Sequence, residues 1–90
     1  MSHLSLDNTK LISRLRRIKG QMEGVERALE SEADCGEVMR QLASIRGAMT
    51  GLTREVMEVH MREHVVAGPT EADRKSGAEE MIQILKSYMK

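Results

Sequence analysis

The sequence predicts an all-α protein of three helices, two long and one shorter, and three observations carry that prediction. Apolar residues recur at alternating steps of three and four over most of the chain, the period of one helix face. No run alternates apolar and polar residues as a half-buried strand would. The single proline, Pro69, falls in one of two short breaks between the periodic segments.

The first helix is expected over about 7–30, with its stripe at Leu11, Leu15, Ile18, Met22, Val25 and Leu29. Ser5 or Asp7 can cap its start, and the polar run Glu30-Ser31-Glu32-Ala33-Asp34 ends it. Asp34 can then cap a second helix over about 35–66, striped by Val38, Leu42, Ile45, Met49, Leu52, Val56 and Val59. Gly68-Pro69 stops it. Thr70-Glu71-Ala72-Asp73 is a capping-box variant opening a third helix over about 71–88, with Ala78, Met81, Ile82, Leu85 and Met89 on its apolar side.

Ninety residues make a single helical domain, 1–90, with no internal repeat. Fourteen Lys and Arg balance fourteen Asp and Glu, so net charge selects no partner. The only aromatic residue is Tyr88, which argues against modules that stack bases on aromatic side chains. No stretch approaches the ~20 apolar residues that span a bilayer, and the N-terminus lacks a signal-peptide core, so a cytoplasmic protein with no membrane partner is expected. One cysteine, Cys35, excludes an intrachain disulfide.

The second helix would be nearly 50 Å long at ~1.5 Å per residue, longer than a compact domain of this size is wide. Two chains laying their long helices antiparallel would make a dimeric four-helix bundle and bury both halves. Gly47, Ala48 and Gly51 sit near the middle of that helix. Either a second backbone approaches closely there, or the glycines are merely tolerated.

Three histidines and the cysteine are the candidate ligands. His60 and His64, at i and i+4, leave one helix face about a turn apart and can grip a transition-metal ion. Cys35 lies 25 residues before His60, or ~37 Å along the axis, so one ion does not reach both in the same chain. Antiparallel pairing about Gly47-Ala48 brings Cys35 of one chain beside His60 of the other. His3, on the N-terminal arm, can close over that site with the terminal amine. The plainer reading of Cys35 is a small apolar residue at a helix start, but its neighbours Asp34, Gly36 and Glu37 lie outside any apolar stripe. His60-Met61-Arg62-Glu63-His64 also reads as an inverted zinc-protease motif. Only 26 residues follow it and no pocket-forming sheet is predicted, so no enzyme and no protein substrate is expected.

Charge is distributed unevenly along the chain. Between Asn8 and Met22 stand Lys10, Arg14, Arg16, Arg17 and Lys19 with no acid among them. Lys10, Arg14, Arg17 and Gln21 share one helix face, and Arg46 and Arg54 add charge from the second helix. Most charge runs are solvated faces, yet the acids that would pair with these bases at i, i+4 are missing. Multiplied by oligomerisation, the face suits the phosphates of double-stranded DNA.

With these features the chain resembles the CsoR/RcnR family of small bacterial DNA-binding repressors along its whole length. The resemblance rests on Arg14-Leu15-Arg16-Arg17-Ile18-Lys19-Gly20-Gln21, the single Cys35, Gln41-Leu42-Ala43-Ser44-Ile45-Arg46-Gly47-Ala48, His60 with His64, and the ending Leu85-Lys86-Ser87-Tyr88-Met89-Lys90. It implies dimers that pair into a flat tetramer, bind operator DNA when empty and leave it when inducer binds. The family's copper(I) sensors carry a second cysteine at the place of His64, and its persulfide sensors use a cysteine pair. The nickel/cobalt, RcnR-like branch carries His3, Cys35, His60 and His64 behind Met-Ser-His, and this sequence has each of them.

The resemblance therefore implies a repressor that releases DNA and derepresses efflux genes on binding Ni(II) or Co(II), with Ser2 supplying the terminal amine. A nitrogen-rich site with one thiolate suits those ions, while Zn(II) or Cu(II) can also bind in vitro. The formaldehyde-responsive branch is the alternative, with the N-terminal amine and Cys35 bridged by formaldehyde; its proline after the initiator Met is Ser2 here. A helical metal-storage dimer that never meets DNA is the rival of another class. Lys10, Arg14, Arg16, Arg17, Lys19, Gln21 and Arg46 are the expected DNA contacts.

Overall fold

In a computed structural model, which describes residues 8–90, the stripes become three α-helices. They are α1 (Asn8–Glu30), α2 (Cys35–His60) and α3 (Glu71–Tyr88), and a π-helical segment, Met61–Val66, follows α2 directly. Among the described residues there is no strand. Two compact units are formed, Thr9–Thr53 and Arg54–Lys90.

In the first unit α1 packs on the first part of α2. Ile18, Val25 and Ile45 form its buried cluster, with Val38, Ala48 and Leu52 against it. Arg14 over Gly51, Gln21 bonded to Ser44, and Gly24 beside Gln41 show that the helices run antiparallel. The stripe of α1 divides in two. Leu11, Ile18 and Val25, seven residues apart, are only 8%, 3% and 9% exposed, whereas Leu15, Met22 and Leu29 keep 50%, 51% and 62% of their surface. Leu42 and Met49 of α2 behave like the second set, at 50% and 38%. A two-helix hairpin offers each stripe only one neighbour, so half of the α1 stripe and two residues of the α2 stripe stay exposed.

The turn between α1 and α2 is a Schellman closure. Ala33 N–H donates to the Ala28 carbonyl at 2.9 Å and Glu32 N–H to that of Leu29 at 3.2 Å. Glu32 takes the left-handed backbone, φ 56°, where glycine is usual. The Asp34 carbonyl then accepts from Glu37 and Val38, placing Asp34 at the head of α2.

In the second unit the winding widens after His60. Ala67 N–H reaches back five residues to the Arg62 carbonyl at 2.9 Å, the bond of a π-turn. The apolar period of α2 ends with this change, and Val66 is 75% exposed. Gly68 keeps a negative φ, so its lack of a side chain matters for space rather than for a left-handed turn. A Cβ there would lie 2.7 Å from Arg74 Cγ and 3.2 Å from the His64 carbonyl oxygen. Thr70 caps α3 as its sequence predicts: its hydroxyl oxygen accepts from Asp73 N–H at 3.0 Å and its O–H donates to the Asp73 carboxylate at 2.8 Å. Only Gly77 and Met81 of α3 are buried. Ile82, Leu85 and Met89, expected on its apolar side, are exposed.

Candidate metal centre and nucleic-acid interface

His60 is the last residue of α2 and is buried. Its Nε2–H donates to the Gly77 carbonyl of α3 at 2.9 Å. A carbonyl only accepts, so Nε2 is the donor in this bond, and Nδ1 is the ring nitrogen that the bond does not occupy. His64 stands four residues on, inside the π-helical segment and half-buried. The two ring centroids are 5.2 Å apart and tilted by 43°. Two imidazoles sharing an ion through bonds of about 2.0–2.1 Å place their centroids roughly 4.5–5.5 Å apart, a range that includes this separation. Beside it lies a cavity of about 330 Å³, lined by Glu63, His64, Gly68, Pro69, Asp73, Ser76, Gly77 and Glu80.

Cys35 is the first residue of α2, with a free and exposed thiol. The nearby Glu37 carboxylate is held by its neighbours, accepting from Gln41 Nε2 at 3.1 Å and from Arg40 Nη2 at 3.2 Å. The Gln41 amide, and then Arg40, keep that carboxyl below the usual carboxylate range. Because Cys35 and His60 are opposite ends of one 26-residue helix, the chain alone keeps them ~37 Å apart. Ser2 and His3 lie outside the described residues. Among the described residues no group of three or more His, Cys, Asp or Glu could hold an ion. One chain thus brings His60 and His64 together and leaves Cys35 apart.

On α1, Lys10, Arg16, Arg17 and Lys19 are exposed, as is Arg46 on α2. No acid occupies the first turn of α1, where the helix dipole would favour one, yet Lys10 sits there. Arg14 and Gln21 are half-buried and turn toward α2. The Arg14 guanidinium lies over Gly51, where a Cβ would come within 3.2 Å of Nη2. That gives Gly51 a reason inside the chain; at Gly47 a Cβ would meet nothing within 4 Å. Gln21 Nε2 donates to Ser44 Oγ at 3.4 Å, and its buried Oε1 has no hydrogen-bond partner among the described residues. Sequence reasoning missed the Gly77 carbonyl. Its one signal was a glycine in a helix interior, a placement costing about 1 kcal/mol against alanine.

Comparison with known proteins bears on this arrangement. Residues 7–87 match the family described as metal-sensitive transcriptional repressors. The chain belongs to that family. Its members are repressors rather than enzymes, so the His60–His64 motif is not a protease centre. The transcriptional repressor RcnR of Citrobacter koseri is 39% identical, with both chains covered in full. Among solved structures, a glutamate-to-histidine variant of the formaldehyde-responsive regulator FrmR from Salmonella enterica serovar Typhimurium superposes with a TM-score of 0.85 at 39% identity. That match covers 97% of this chain and 99% of the other. The nickel-responsive transcriptional regulator InrS, at 28% identity, covers 98% of this chain and 99% of its own with a TM-score of 0.79. Among the described residues of this repressor, no helix is long and apolar enough to cross a membrane.

Proposed function

We propose that this metal-sensitive repressor binds operator DNA in its empty state and releases it on binding Ni(II) or Co(II), derepressing efflux genes. The observation that carries the reading is the His60–His64 pair, with rings 5.2 Å apart and the Gly77 carbonyl bonded to His60 Nε2, which leaves Nδ1 as the nitrogen that bond does not occupy. Cys35 of one chain and His60 and His64 of its partner would hold the ion, with His3 and the Ser2 amine recruited from the arm. A thiolate and several imidazoles form a donor set of borderline softness, suited to those ions.

Two features support the pairing of chains this requires. Leu15, Met22, Leu29, Leu42 and Met49 are uncovered in the single chain, and Gly47 at the middle of α2 faces open space. An antiparallel dimer about Gly47 covers such residues and carries Cys35 to the partner's histidine pair. A dimer of dimers would then array the bases of α1 into one phosphate-tracking surface.

Recruiting the arm displaces the start of α1, which carries Lys10, Arg16 and Arg17. Metal and DNA therefore select two arrangements of one element, and DNA must weaken metal binding by the factor that metal weakens DNA binding. Similarity to FrmR favours a second reading, in which formaldehyde bridges the terminal amine and Cys35. Anisotropy of labelled operator-like duplex, read at two salt concentrations, with Ni(II), Co(II) or formaldehyde added, tests both. Release by either metal supports the proposal and release by formaldehyde alone supports the second. Absence of DNA binding at low salt leaves a metal-storage dimer.

A further inference from the structure

We propose that Gly77 is a positioning residue for the metal centre: its carbonyl fixes the His60 tautomer, and its missing side chain lets α3 approach closely enough to do so. The inference rests on the metal-binding reading above.

Gly77 touches both histidines. Its oxygen accepts from His60 Nε2–H at 2.9 Å. A Cβ at Gly77 would clash with the His64 carbonyl oxygen, lie 2.7 Å from the carbonyl carbon and 3.0 Å from the His64 Cβ. Its φ is not positive, so backbone conformation does not call for glycine at this place in α3. Close approach does. Glycine here lets α3 press against the backbone of the π-helical segment at His64.

The bond decides which nitrogen is the donor. With the proton on Nδ1 instead, the Nε2 lone pair would face the carbonyl lone pairs at the same separation, an unfavourable contact in a buried place. Holding the proton on Nε2 leaves Nδ1 as the only nitrogen of His60 able to take an ion. Carbonyl partners of this kind orient ligand histidines, and their loss typically costs 10–100-fold in metal affinity. No residue of α3 need touch the ion for α3 to set the geometry of the pair.

The test uses the full chain and Zn(II) alone as a diamagnetic probe. Nitrogen-15 correlation spectra of the metal-free protein should show a His60 Nε2–H that exchanges slowly with water. That proton should persist when Zn(II) is added, with the metal-induced shift falling on Nδ1. Gly77→Ala should lose the protected proton and weaken Zn(II) binding by about 10–100-fold. Ala78→Gly, which perturbs the same helix without a new side chain against His64, should retain both. A proton on Nδ1 in the metal-free wild type, or Zn(II) binding at Nε2, overturns the proposal even if Gly77→Ala fails to fold. Equal affinity in Gly77→Ala and wild type overturns it as well. If the wild type binds no Zn(II), Ni(II) or Co(II), the metal-binding reading itself falls and takes this one with it, an outcome the metal-free spectra distinguish from a wrong tautomer.

Discussion

Replacing Leu42 with alanine should weaken the pairing of two chains about 30-fold. Full burial of a leucine side chain contributes roughly 1.5–3 kcal/mol. Leu42 keeps 50% of its surface in the single chain, so covering it in a dimer contributes about 1 kcal/mol. A symmetric dimer covers two copies, and about 2 kcal/mol corresponds to about 30-fold in Kd. Because Leu42 lies outside the Ile18–Val25–Ile45 cluster, folding of the chain should be affected much less than association. Sedimentation equilibrium across a concentration series reads the dimer Kd directly. Co(II) affinity, measured where wild type is paired and Leu42→Ala is not, should fall with it. A wild-type chain that stays monomeric, or an unchanged Kd in Leu42→Ala, would rule out pairing through the uncovered stripes.

Other outcomes follow from single residues. Glu32→Gly should gain about 0.5–1 kcal/mol, since the left-handed backbone disfavours a side chain by about 1–2 kcal/mol and glycine returns part of that as unfolded-chain entropy. A higher urea midpoint at unchanged m-value would show it. Arg17→Ala should weaken DNA binding and lower the slope of log K against log salt by about 0.9 for each phosphate no longer neutralised, leaving metal affinity unchanged in a parallel Co(II) titration. His3→Ala should keep much of the Co(II) affinity yet no longer release labelled duplex when metal is added, whereas Cys35→Ser should lose both.

The helices were legible because their signals are local. Thr70 and Asp73 name their own cap, and the spacing of Leu11, Ile18 and Val25 is visible without knowing what they touch. Which half of a stripe faces inward depends on the neighbouring helix, so Leu15 and Leu11 read alike in the sequence and differ in the structure. The π-helical turn after His60 carries no comparable marker; periodicity alone extends an α-helix through it. At the candidate site, the i, i+4 spacing of His60 and His64 predicted rings that do lie side by side. The Gly77 carbonyl was invisible because a backbone acceptor has no letter of its own. Gln21 illustrates the converse: its place on the basic face was readable, but its turn toward Ser44 was not.

A metal centre assembled from two chains can be tested by mixing two disabled variants. Cys35→Ser lacks the thiolate, and a His60→Ala/His64→Ala variant lacks the pair, so neither alone should show cobalt–thiolate charge transfer with Co(II). Unfolded and refolded together in equal amounts, they form mixed dimers in which one site is intact and the other lacks Cys35, His60 and His64 together. The charge-transfer band should return at roughly a quarter of the wild-type intensity, as random pairing requires. A mixture that stays silent beside a wild type that shows the band would contradict a site shared between chains.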